Sequence, residues 1–247
     1  MTYDHREHAG NAGDLWKHFL LSEAAAYLLS RSDLVYAESH AGYRDYWLEP
    51  GGEWMWGIGR CWHVRSWIKS PYFSVLKDMN GDRLLRYPGS AQLVLRLGRA
   101  FGRRVTAELW DISVDVEKSW RSCPDVHFHL GDGFSGVMDL LKREDPGLLL
   151  IDPPTPQDHE RAIELLKEAG DRGWVAMSWH IMNSAGFPEG LDLYPLEFHD
   201  LGLEGGRWPG CIVAVSSGDA HLRRHIRLRA GKFLSDLRRL GAGEGAV

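Results

Sequence analysis

The sequence predicts a doubly wound α/β fold on a mostly parallel sheet of seven strands, and three observations predict it. Short apolar runs bounded by turn formers alternate with longer segments of helical period. The last two runs are joined only by LGLEGGRWPG, with no helix between them. One aromatic-rich stretch after the first run breaks the alternation.

In chain order the strands are LVYAES (34–39), VTAELWD (105–111), VHFHLGD (126–132), GLLLIDP (147–153), WVAMSWH (174–180), YPLEFHD (194–200) and GCIVAVS (210–216). Each is rich in branched or aromatic residues and ends in turn formers. GDLWKHFLLSEAAAYLLS, ISVDVEKSWRSC, FSGVMDLLKRE and QDHERAIELLKEAGDR place apolar residues three and four apart, as helices do. Alternation of this kind gives right-handed βαβ units, and the helix-free connection gives a C-terminal antiparallel hairpin strand. The plan is Rossmann-like. Residues 47–86 carry Trp47, Trp54, Trp56, Trp62, Trp67, Tyr72 and Phe73 and are too long for one crossover helix. They are expected to form an inserted helical subdomain, with 1–46 and 87–247 forming the main domain. Its aromatics suit either a small core or a surface that stacks unpaired bases.

Composition narrows the function. The chain has 247 residues, 44% hydrophobic and 26% charged, within the range of one large globular domain. No apolar run approaches the ~20 residues of a membrane span, and the polar start has no signal-like core. A cytoplasmic protein is expected. Cys61, Cys123 and Cys211 are far apart and the histidines form no HExxH, so neither a disulfide framework nor a metal site is expected. There is no GxxxxGK[ST] phosphate loop. The net charge of −5 gives no global attraction to nucleic acid. Two basic groups stand out: Arg96, Arg99, Arg103 and Arg104, and the run from Arg223 to Arg239. Either binds phosphates or forms a solvated helix face.

In an open parallel sheet, ligands sit beyond the carboxyl ends of the strands. The first strand ends in SHAG, giving His40 and Gly42; the second carries Glu108 and Asp111; the third ends in GDGF, giving Asp132 and Gly133; the fourth ends in Asp152. Each acid alone suits a helix N-cap. Together they suit a nucleoside cofactor: one carboxylate for ribose hydroxyls, one for an adenine amino group, and glycines where backbone approaches the ligand. After Asp152, Pro153 and Pro154 forbid a helix and fix an extended path. The Asp152 carboxylate and the Pro153 carbonyl then form a rigid pair of acceptors, suited to an amino group with two N–H donors. Holding both hydrogens turns a delocalised nitrogen into a nucleophile.

These residues resemble a known family. YDHREHAGNAGDLWKH, SHAG, YPGS, the AEL of the second strand, GDGF and LLLIDPP are similar to the bacterial S-adenosylmethionine-dependent methyltransferases that modify adenine N6 in 23S ribosomal RNA. The likeness covers nearly the whole chain. It implies a class I methyltransferase fold with S-adenosylmethionine contacts at His18, His40, Ser90, Glu108, Asp132, Gly133 and Asp152, and Lys17 and Gly42 in the same pocket. It implies that Tyr3 contacts RNA and that Asp152 holds the target amino group.

Two positions depart from the pattern. Thr155 stands where the family has a Tyr that stacks on the flipped adenine; Trp179 and His180 are candidates to replace that ring. Tyr43 and Arg44 follow SHAG where the family continues with small residues. Three readings follow: a ribosomal RNA adenine methyltransferase, a methyltransferase of another amine or amide in a protein or small molecule, and a non-catalytic relative that keeps the cofactor. Salt-dependent RNA affinity separates the first from the others.

Overall fold

The structure is a computed structural model, and it describes residues 8–64, 69–184, 186–204, 206 and 208–241. Strands β1 (Leu34–Glu38), β4 (Val105–Asp111), β5 (Val126–Leu130), β6 (Leu148–Ile151), β7 (Val175–Ile181), β8 (Asp192–Glu197) and β9 (Gly210–Ser216) form one seven-stranded sheet in the order β5-β4-β1-β6-β7-β9-β8. All neighbours are parallel except β9, which runs antiparallel to both β7 and β8. The antiparallel strand is therefore one position in from the sheet edge. The chain passes outward from β1 to β4 and β5, then returns to β6 on the other side of β1. This reversal opens a crevice between the carboxyl ends of β1 and β6.

Helices cover both faces of the sheet. Helix α1 (Ala12–Leu29), α3 (Pro71–Asn80), α4 (Ser90–Ala100), α5 (Val114–Trp120) and α8 (Ala220–Gly241) share one core; α6 (Gly133–Leu140) and α7 (His159–Asp171) form the other. The short α2 (Ile58–Cys61) also joins the first core. The run LLLI in β6 divides its side chains between them: Leu148 and Leu150 face the first core, Leu149 and Ile151 the second. A strand covered on both faces reads as a continuous apolar run rather than an alternating one.

Helix α1 precedes the sheet and is buried nearly all round, with 15 of its 18 residues inaccessible. It is not the one-sided helix that its periodicity suggests. Asn11 caps it by accepting the Asp14 N–H at 3.0 Å. Glu23, buried on α1, accepts from Arg229 at 2.8 Å and His225 at 3.1 Å and ties α1 to α8.

Residues 47–86 hold a 3-10 helix (Glu53–Trp56), α2 and α3, bracketed by an antiparallel ribbon of β2 (Asp45–Trp47) and β3 (Arg86–Pro88). Trp67 lies outside the described residues; of the others, Tyr72 and Phe73 are buried in the α1 core, whereas Trp47 and Trp56 are exposed. The ribbon itself has no counterpart among the expected strands, because three-residue strands carry too little pattern to read.

The crevice depends on one close approach. A Cβ on Gly133, the first residue of α6, would lie 1.6 Å from the Ser39 carbonyl oxygen at the end of β1. Gly133→Ala must therefore push α6 from the sheet; we expect a loss of about 2 kcal/mol, and a thermal midpoint equal to wild type in calorimetry would contradict this packing.

Candidate active site

A cavity of about 1030 Å³ lies at the carboxyl ends of β1, β4, β6 and β7, with the first two turns of α1 along one wall. Its chemistry starts on α1. Asp14 and Lys17 are three residues apart and so share a face of the first turns. The Lys17 ammonium lies 2.9 Å from Asp14 Oδ1 and 2.5 Å from Asp152 Oδ2. It thus joins the helix to the end of β6. Burial alone would favour the neutral amine, but Asp14 and Asp152 override it and raise the Lys17 pKa well above its usual value. Asp14 is shifted the other way: against burial, Lys17, His18 and the Gly10 N–H lower it to about 2. Neighbouring His18 is held neutral chiefly by burial, its pKa lowered to about 4.

A second buried acid lies at the end of β1. Glu38 is 1% exposed and accepts hydrogen bonds from Ser90 Oγ and, at 2.9 Å, from Tyr36. Burial outweighs these donors and pushes its pKa up to about 7. The loop that follows brings His40 into the lining, its ring edge-on to Phe134 at 4.7 Å and its pKa lowered mainly by burial. Gly42 is a close approach: a Cβ there would lie 2.2 Å from the Tyr46 hydroxyl. Arg44 turns away from the cavity and lies against Asp45 and α5.

At β4 the structure separates the two expected acids. Glu108 is not among the described cavity-lining residues, and Asp111 is. Side chains alternate along a strand, so Glu108 shares a face with Trp110, toward β5. There its two oxygens are held by His127 Nδ1 at 2.6 Å and His129 Nε2 at 2.7 Å, and Trp110 stacks on His129. Asp111, at the strand's last position, lies in the lining with Ile112, a residue 82% exposed. Asp132 lines the cavity as the N-cap of α6 and also accepts from Ser135 and Arg161.

Asp152, Pro153, Pro154 and Thr155 all line the cavity. Asp152 offers one oxygen to Lys17, and the other has no partner among the described residues. The Thr155 hydroxyl donates to Asp158 at 2.6 Å, closing the turn that starts α7. Trp179 and His180 stand on the same wall at the end of β7. His180 Nδ1 lies 2.9 Å from His159 Nδ1, and burial holds its ring neutral, with a pKa of about 3.

The cavity therefore brings together Lys17, His18, His40, Gly42, Ser90, Asp132, Gly133, Asp152, Pro153, Thr155 and Trp179 of the expected site. Tyr3 lies outside the described residues. Asp14 and Glu38 escaped the sequence reading. Asp14 carries a signal in its spacing from Lys17; Glu38 carries none, since an acid inside an apolar strand resembles any strand end.

The seven-stranded order, with its antiparallel strand beside the edge and an acid-lined cavity at the switch point, is that of a Rossmann-like class I methyltransferase. The chain belongs to the family described as "Ribosomal RNA large subunit methyltransferase D, RlmJ", whose model matches residues 31–181. It is 29% identical to the ribosomal RNA large subunit methyltransferase J of Haemophilus influenzae over 186 residues, 70% of this chain and 66% of that protein. With the Escherichia coli protein of the same name it shares 30% identity over 165 residues, 62% of this chain and 59% of that one. The chain's match thus spans about three fifths to two thirds of these relatives' length. The crystal structure of protein LPL1258 from Legionella pneumophila superposes with a TM-score of 0.77 at 22% identity, covering 94% of both chains, and shows the same fold. Among the described residues no helix is long and apolar enough to cross a membrane.

Two outcomes test the electrostatics of this site. The raised Glu38 pKa means that the folded protein keeps a proton which the unfolded chain releases above about pH 4.5. Its stabilising contribution is therefore full below that pH and lost as pH rises toward about 7. In thermal scans wild type should fall relative to Glu38→Gln across this window; parallel curves would refute it. Lys17→Met should destabilise by about 3 kcal/mol or more, because it leaves two partly buried carboxylates uncompensated; denaturant titration reads the loss, and an unchanged midpoint would contradict the bridge.

Proposed function

We propose that this chain is an S-adenosylmethionine-dependent N-methyltransferase acting on adenine N6 of ribosomal RNA, in the cytoplasm. The observation that carries the reading is the Asp152-Pro153-Pro154 edge: a rigid carboxylate in the cavity wall, oriented on one oxygen by Lys17 and presenting the other.

The residues present fit the cofactor. Two carboxylates against one ammonium give the Asp14–Lys17–Asp152 group an excess negative charge, which suits a sulfonium cation. Asp111 beside exposed Ile112 suits a ribose with an adenine lying on an apolar face, and Asp132 suits the adenine amino group. His18, His40 and Ser90, with the close turn at Gly42, would receive the amino-acid end. When bound, S-adenosylmethionine supplies an electrophilic methyl group. The chain's own part is to bind, orient and exclude water. Asp152 and the Pro153 carbonyl would accept hydrogen bonds from the two N–H groups of the target amino group and aim its lone pair at the methyl, and the Asp152 carboxylate would take up the one proton that the alkylated nitrogen releases. No covalent intermediate on the protein is required, and buried Cys61 and Cys211 are held as thiols.

A second reading has one specific observation behind it. Thr155 spends its hydroxyl on Asp158 and offers no ring on which a flipped base could stack. An amine other than adenine, in a protein or small molecule, would then be the target.

Labelled S-adenosylmethionine incubated with ribosomal RNA, protein and small-molecule extract from cells lacking this protein separates these readings. The first predicts label in RNA as N6-methyladenine, reduced at least about a thousandfold in Asp152→Ala; label in another fraction favours the second, and full activity of Asp152→Ala refutes the mechanism. In calorimetric titration Asp111→Asn should weaken the cofactor about tenfold, whereas Glu108→Gln should leave it unchanged. The reverse order would return the ribose to Glu108.

A further inference from the structure

Three buried side chains behind the cavity form a line. Tyr72 on α3 and Tyr87 on β3 are 0% and 1% exposed, and their hydroxyl oxygens are 2.8 Å apart. Tyr87 Oη lies 2.9 Å from His18 Nδ1, and the His18 ring, 3% exposed, lines the cavity. Which way the protons run along this line is fixed by its closed end.

The hydroxyl of Tyr72 has Tyr87 Oη as its only hydrogen-bond partner among the described residues. If His18 donated from Nδ1, one of the two phenol protons would be buried with no acceptor, whichever way the Tyr72–Tyr87 bond runs. Leaving a buried donor unsatisfied costs about 1–3 kcal/mol. If instead Tyr72 donates to Tyr87, and Tyr87 donates to Nδ1, every donor is used. That arrangement requires an unprotonated Nδ1, so a neutral His18 must carry its hydrogen on Nε2. Burial keeps both phenols protonated and the imidazole neutral.

We propose that Tyr87, with Tyr72 bonded behind it, is a positioning residue that fixes His18 as the Nε2–H tautomer, a neutral donor turned to the cavity for the carboxylate of the cofactor's amino-acid end. The assignment rests on the reading of the cavity as a cofactor site. It also follows from what the neighbouring donors are doing: Lys17 is committed to Asp14 and Asp152, and Ser90 donates to Glu38. His18 Nε2–H is the uncommitted donor that α1 brings to a wall otherwise crowded with acids.

The test is ¹⁵N NMR of the His18 imidazole at pH 7, with binding of S-adenosylmethionine and of its decarboxylated analogue measured on the same samples. Wild type should show a protonated Nε2 and an unprotonated Nδ1. Tyr72→Phe should keep that tautomer, because Tyr87 can still donate. Tyr87→Phe should lose the preference and bind S-adenosylmethionine about three- to tenfold more weakly, while its affinity for the decarboxylated analogue stays as in wild type. A wild-type His18 protonated on Nδ1, or a Tyr87→Phe variant that matches wild type in tautomer and cofactor affinity, would overturn the proposal. Weakening of both ligands alike would overturn the carboxylate assignment. If wild type binds no cofactor, the functional reading fails and the carboxylate assignment with it, and the spectra alone then decide the relay.

Discussion

The buried ammonium of Lys17 holds the site together. It sits between an acid from its own helix and the acid at the end of β6, so the helix that precedes the sheet and the strand that carries Asp-Pro-Pro meet through one charge. Removing an ammonium from water is costly unless the partners are well placed, and here two carboxylates are. The consequence is geometric. Asp152 cannot swing freely, because one oxygen is already bound and the following prolines stiffen the backbone. A carboxylate held in this way keeps its second oxygen in one direction before any substrate arrives, which is how preorganised catalytic groups avoid reorganisation during reaction.

The same constraint explains the odd character of α1. A helix that only covered a sheet would need one apolar stripe. This one is buried on nearly every side, by the sheet ends, α3, α4 and α8, and its polar residues are accommodated in pairs: Lys17 with Asp14 and Asp152, His18 with Tyr87, Glu23 with Arg229 and His225. The basic run at the C-terminus is likewise largely paired with acids, here at the surface. Arg223 and Arg227 share Asp192, and Lys232 and Arg239 share Asp236. What looks in the sequence like a cationic stripe is in good part a set of surface ion pairs, two of them within α8 itself.

The main sheet was legible because period and punctuation agree in it. VTAELWD and GCIVAVS form strands over the very residues whose pattern marks them, and LLLIDPP ends where its prolines end it. The acids at strand ends were legible as a class, since the sheet's direction sends them all to one edge. Choosing between neighbours was not. Glu108 and Asp111 differ by three positions, which in a strand means opposite faces; the alternation in VTAELWD separates them but does not say which face meets the cavity, and on the Glu108 side β5 supplies two histidines. Glu38 was hidden for a similar reason: it becomes part of the cavity wall only because Ser90 and Tyr36 converge on it from outside its immediate sequence neighbourhood or across its own strand. Thr155 was visible as a departure, but its commitment to Asp158 appears only in the turn.

The central physical claim is a charge balance: two carboxylates, one ammonium and room for one more cation. The measurement that tests it most directly is the ratio of affinities for S-adenosylmethionine and for its neutral product, S-adenosylhomocysteine, in wild type and in Asp152→Asn. Asp152→Asn should shift this ratio toward the product by about tenfold, the scale of one nearby charge at a partly exposed site. A ratio unchanged by the substitution would mean that the acid pair does not sense the sulfonium, and the site as described would be wrong.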